Sequence, residues 1–150
     1  MGSMRGPNGQ VLISHRGNTD GAIPELENDP AYIMETLHRG YSVEIDVWQT
    51  DDGFFLGHDE PVYGIDVHFL KQGGLWCHAK NFEAFNRLLS INVTCFWHQE
   101  DYYTLTSNGW IWAYPGQPGN KRTVAVMPEW NNTDVWNFGA VCSDVIEEYK

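Results

Sequence analysis

Two carboxylates at alternate positions of an apolar run are the first residues that could do chemistry. Glu44 and Asp46 interrupt Val43, Ile45 and Val47. Strand side chains alternate between faces, so both acids project from one side and the three aliphatic residues from the other. Asp52-Gly53 follows as a hairpin signal, because a type I′ turn needs positive φ and both residues tolerate it. The returning run 54–56 then delivers His58-Asp59 back toward the acids. Two acids and a histidine gathered by one ribbon suit metal binding and proton transfer. A lone pair of alternating acids would ordinarily be the wet face of a surface strand. A second stretch changes that balance: the strand-like run 11–14 ends abruptly in His15-Arg16-Gly17. Histidine and arginine at a strand terminus suit acid–base work and oxyanion binding.

Taken together, these stretches resemble the glycerophosphodiester phosphodiesterase family, among the phosphatidylinositol-phospholipase-C-like barrels. The matching residues occur in the family's order: His15-Arg16-Gly17, Glu27-Asn28, Glu44 with Asp46, Asp52-Gly53 and His58-Asp59. The similarity is strong over 13–59, moderate to Lys80 and weak beyond. It implies a metal-dependent phosphoric diester hydrolase of lipid metabolism that acts on a small phosphodiester and releases an alcohol. His15 and His58 would be its general acid–base pair, and Arg16 and Lys80 would hold the phosphate. Glu44, Asp46 and Glu27 would hold the metal. The family carries a third acid two residues before its lysine, where this chain has His78. Oxygen ligands imply Mg²⁺ or Ca²⁺, whereas a His78 nitrogen would tilt the site toward Mn²⁺ or Zn²⁺. His78 also fits a satisfied core histidine. His98 and Trp112 are further candidates, for substrate contact, set against burial of the one and barrel packing of the other.

The elements that must position these residues alternate between strand and helix. Strands are expected at 11–14, 42–49, 75–80, 93–98, 103–106, 111–114, 123–127 and 140–143, with helices at 31–39 and 82–89 and a helical turn at 66–71. Asp29-Pro30 and Asn81 supply helix starts, and Gly40 a stop. Alternation argues for parallel strands, and eight strands suggest a (β/α)8 TIM-type barrel. Such barrels run to about 250 residues and this chain has 150. The expectation is therefore an α/β fold: a compact barrel with reduced or missing helices in its second half. It would form one domain over 11–150 after a tail at 1–10, whose start Met1-Gly2-Ser3-Met4 reads as a cloning scar.

Composition narrows the function. A net charge of −11, from 9 basic and 20 acidic residues, excludes general binding to nucleic acid or anionic membranes, which rely on basic surfaces. No apolar run approaches the roughly 20 residues of a membrane span. Three cysteines in apolar runs cannot all pair within one chain, and they suit a cytoplasmic, reducing setting. Strand surface left bare by missing helices would favour a homodimer. Two other classes stay open: a metal- and phosphate-binding barrel without turnover, and an aromatic-lined carbohydrate-binding module suggested by seven tryptophans.

Overall fold

A computed structural model describes residues 3–150; the Met1-Gly2 portion of the scar reading lies outside them. The described residues form ten strands: β1 Val11–His15, β2 Ser42–Thr50, β3 Gly53–Leu56, β4 Tyr63–Ile65, β5 Leu75–Ala79, β6 Cys95–Phe96, β7 Tyr103–Leu105, β8 Ile111–Ala113, β9 Thr123–Val126 and β10 Ala140–Ser143. Their α-helices are α1 Pro30–His38, α2 Val67–Leu70 and α3 Phe82–Ser90. None is long and apolar enough to cross a membrane.

The expected (β/α)8 barrel does not form. The strands make one mixed sheet curled into a half-barrel, in the order β4-β3-β2-β1-β10-β9-β8-β7, with β5 also on β2 and β6 on β5. Seven strands run parallel, but β3, β4 and β7 join antiparallel. The causes lie in the connections. Ser107-Asn108-Gly109 is a tight turn, with Gly109 N–H donating to the Thr106 carbonyl, and strands joined so closely must run antiparallel. The β8–β9 connection carries Pro115, Gly116, Pro118 and Gly119, which cannot sustain a crossover helix.

The helices that do form are capped as expected. Asp29 accepts from Ala31 N–H ahead of Pro30, and Asn81 accepts from Ala84 N–H. They cover the outer face of β2 and β5, where Ile33, Leu37, Ala84 and Leu88 pack on Val43, Ile45, Val47 and Cys77. The concave face holds a second core of Ile13, Trp76, Phe96, Trp112, Val124, Ala140 and Cys142. Curling brings β6 over β8, so Phe96 stacks on Trp112 with ring centroids 4.3 Å apart. Between β6 and β7 the seam is stitched by Cys95 N–H donating to Ser107 Oγ and Ser107 N–H to the Cys95 carbonyl, both 2.8 Å. Among the described residues no α-helix covers β7–β9, and Tyr103 and Leu105 stay exposed.

One feature of β2 organises the site. β1 pairs along its edge as far as Glu44, and β3 takes over from Val47. Asp46 sits at that fork, its carbonyl accepting from Gly57 N–H at 3.1 Å. The hairpin joining β2 to β3 is not type I′: Gly53 has φ +115°, but Asp52 does not take a positive φ. A negative φ at Asp52 with a left-handed glycine after it fits a type I turn closed by a bulge.

Candidate metal centre

Glu44 and Asp46 project from β2 onto the concave side, as the period of two requires, and His78 does so from the neighbouring β5, in register with Asp46. Each of the three offers a ligand atom, and these atoms all lie within 4.8 Å of one another. Asp46 is fully buried and Glu44 only 2% exposed. Burying two carboxylates is costly unless positive charge and hydrogen bonds compensate. Around Asp46 the compensation is extensive. Asn28 Nδ2 donates to Oδ2 at 2.9 Å, and Asp46 N–H donates to Asn28 Oδ1 at 3.0 Å. Arg16 Nε lies 3.1 Å from the same Oδ2 as an ion pair. Oδ1 faces His78 Nδ1 at 3.4 Å. Burial pushes the Asp46 carboxyl up, but His78, Arg16 and Asn28 outweigh it and hold it well below the usual carboxylate range.

Two oxygens are left over. Glu44 Oε1 and Asp46 Oδ1 are buried and accept no hydrogen bond among the described residues. An orphaned buried carboxylate oxygen calls for an explanation; a cation between them supplies one, so the donor set fits a divalent ion. His78 is the third member. Its Nε2 donates to the His98 carbonyl at 2.7 Å, and its ring stacks on Phe96. Burial lowers its pKa, but Asp46 and Glu44 raise it further, to about 9. Without a cation, His78 is therefore protonated at neutral pH.

His15 ends β1 beside this group. Its Nδ1 lies 2.8 Å from Asp144 Oδ1, just beyond β10, and its Nε2 lies 3.9 Å from Glu44 Oε1. Burial lowers the His15 pKa, while the Asp144 hydrogen bond and the Glu44 charge more than offset that and raise it. Asp144 is held low in turn by His15 and Asn18 against its own burial. Asn18 ties the loop together, donating to Asp144 at 2.8 Å and to Glu27 at 3.0 Å.

The remaining candidates fall as follows. Glu27 stands outside the ligand group, its oxygens taken by Arg16 Nη1 at 3.2 Å and by Asn18. Arg16 adopts φ +61°, which turns the chain so that its guanidinium spans Glu27 and Asp46. His58 is half exposed at the rim, its Nδ1 2.8 Å from Asp59. Gly57 precedes it because a Cβ there would collide with the Glu60 carbonyl. His58 separates two clefts: one of about 500 Å³ over Arg16, Glu27 and Asn28, the other of about 680 Å³ over His78, Lys80 and His98. Lys80 makes no ion pair among the described residues. His98 is buried, its Nε2 donating to the Asp101 carbonyl at 2.7 Å. Trp112 is not at a rim. It lies in the concave core, 4% exposed, against Phe96 and Trp76.

Three residues that hold the centre together were given no site role from the sequence: Asn18, Asn28 and Asp144. Asn28 has φ +67°, and its signal in the sequence was its place in the Glu27-Asn28 match. Comparison with protein-family models, curated proteins and solved structures yields no match to this chain.

Proposed function

We propose that this chain is a metal-dependent phosphodiester hydrolase, similar in chemistry to the glycerophosphodiester phosphodiesterases. The observation that carries the reading is the pair of orphaned carboxylate oxygens, Glu44 Oε1 and Asp46 Oδ1, beside His15 and Arg16. A divalent cation bound there supplies Lewis acidity to a phosphate and lowers the pKa of an attacking oxygen. The chain's own groups do the rest. Arg16 uses Nη1 and Nε on Glu27 and Asp46, which leaves Nη2 to bind a phosphate oxygen, and Lys80 approaches from the other cleft. Asp144 accepts the Nδ1 proton of His15 and so presents Nε2 to the reacting group. The Asp144 hydrogen bond and the Glu44 charge favour the protonated ring, which suits His15 to the general acid that protonates a leaving alcohol. His58, tied at Nδ1 to Asp59, stands at the rim where the attacking oxygen would lose its proton.

The test is hydrolysis of glycerophosphocholine and bis(p-nitrophenyl) phosphate after chelation, with Mg²⁺, Ca²⁺, Mn²⁺ or Zn²⁺ restored singly. Activity that a cation restores and that His15→Ala and Glu44→Ala each abolish is expected. A folded protein with no turnover under any cation would refute the proposal.

A further inference from the structure

Building on the cation centre proposed above, we infer that it selects a transition ion of the Mn²⁺–Zn²⁺ series over Mg²⁺ and Ca²⁺, with His78 Nδ1 as a direct ligand. The argument rests on how the His78 ring is held. A carbonyl only accepts, so the 2.7 Å contact with the His98 carbonyl fixes the proton on Nε2. The lone pair of the neutral ring is therefore on Nδ1. That nitrogen is aimed between the two acids, 3.4 Å from Asp46 Oδ1 and 3.6 Å from Glu44 Oε2. Both contacts are ion-pair distances rather than close hydrogen bonds. Phe96 fixes the plane of the ring, stacked at 5.0 Å and 16°. One nitrogen is thus anchored on a backbone carbonyl and the other is directed at the two acids.

A ring nitrogen bonded to a backbone carbonyl while its twin faces carboxylates is the outer-shell pattern of a ligating histidine. A second, independent observation points to an ion at the same place: the orphaned Glu44 Oε1 and Asp46 Oδ1, both on side chains more than nine-tenths buried. Two carboxylates and one imidazole make a mixed oxygen and nitrogen set. Ca²⁺ prefers six to eight oxygens, and Mg²⁺ binds through carboxylates and retained water, whereas imidazole favours the later divalent metals. Among the described residues no fourth side chain joins the group, and one cleft opens onto its His78 member.

The experiment uses the full chain stripped of cations. Mn²⁺, Co²⁺, Zn²⁺, Mg²⁺ and Ca²⁺ are titrated singly by calorimetry, and the Mn²⁺ form is examined by pulsed electron paramagnetic resonance for coupling to a bound nitrogen. Glu44→Gln and His78→Asp run in parallel. Expected are a directly coordinated nitrogen in the parent, its loss in Glu44→Gln, and tighter binding of the later metals. His78→Asp is expected to lose nitrogen coupling and to weaken Zn²⁺ by roughly 10- to 100-fold, with little loss for Mg²⁺. The parent's nitrogen coupling decides the matter even if a variant fails to fold. Cation binding at this centre without nitrogen coupling, or with Mg²⁺ and Ca²⁺ as tight as Zn²⁺, overturns the inference and leaves the cation centre standing. A folded parent that binds none of the five overturns both.

Discussion

Replacing Asn28 tests how the buried acids are held. Its side chain makes both halves of a reciprocal pair with Asp46: a donated bond to the carboxylate at 2.9 Å and an accepted one from the backbone N–H at 3.0 Å. Asn28 is 1% exposed, so water cannot replace either partner. In Asn28→Ala the charge-assisted bond forfeits about 1.5–3 kcal/mol, and the stranded Asp46 N–H costs about 1–3 kcal/mol more. The left-handed backbone at φ +67° adds about 1–2 kcal/mol for an alanine. The total is roughly 3.5–8 kcal/mol, comparable to the stability of a marginal domain. Asn28→Gly loses the same two bonds but not the backbone penalty, so it should be the more stable of the two by about 1 kcal/mol. Urea unfolding of the cation-free proteins reads these values, and calorimetric titration with Mn²⁺ reads the site. Losing the group that orients Asp46 should weaken cation binding about 10- to 100-fold. If Asn28→Ala unfolds within 1 kcal/mol of the parent, or Asn28→Gly is the less stable variant, the reasoning fails.

Asp144→Asn removes the charge that raises His15, so the limb of the pH–rate profile reporting protonated His15 should shift to lower pH. The rate should fall by about 100-fold or more, with cation affinity unchanged; an unshifted profile would show that Asp144 does not set the charge of His15. In the cation-free protein His78 has a pKa of about 9 against an ordinary 6.5. Its bound proton therefore adds stability that is fully present below pH 6.5 and is lost as pH rises through 9. Melting temperatures of chelated protein should fall across that window, and a saturating cation, which takes the proton's place, should flatten the fall. Trp112→Ala empties the concave core and should cost about 3–5 kcal/mol, measured by urea unfolding. Its cation affinity should match the parent's; a selective loss of affinity would place Trp112 in the site after all.

Much of this arrangement could be read from local patterns. The period of two placed Glu44 and Asp46 together, and abrupt ends to apolar runs placed His15, Arg16 and His78 at the tips of strands. Most strand bounds followed from the same runs, as at Leu75–Ala79 and Ala140–Ser143. Strand direction was less legible. The turn at 107–109 separates two short runs in either topology, and only its tightness makes β7 antiparallel. Asp144 and Asn18 meet across 126 positions of sequence, a contact that no local periodicity encodes. Trp110, Trp112 and Tyr114 share one parity, yet Trp112 is in the core and Tyr114 exposed. The curl of the sheet decides that, and it depends on β6 reaching over to β8.

β1 sits between β2 and β10, so the earliest strand of the sheet is paired with the latest. Forming that pairing closes a loop of well over a hundred residues, and the entropy of closure precedes any reward from the contacts it makes. The triad of Glu44, Asp46 and His78 draws only on β2 and β5, and can assemble with the first half of the sheet. The His15–Asp144 contact must wait for β10. The triad and the His15–Asp144 contact thus form at different moments of folding. A chain caught before β10 docks would have its triad together yet lack the Asp144 partner of His15.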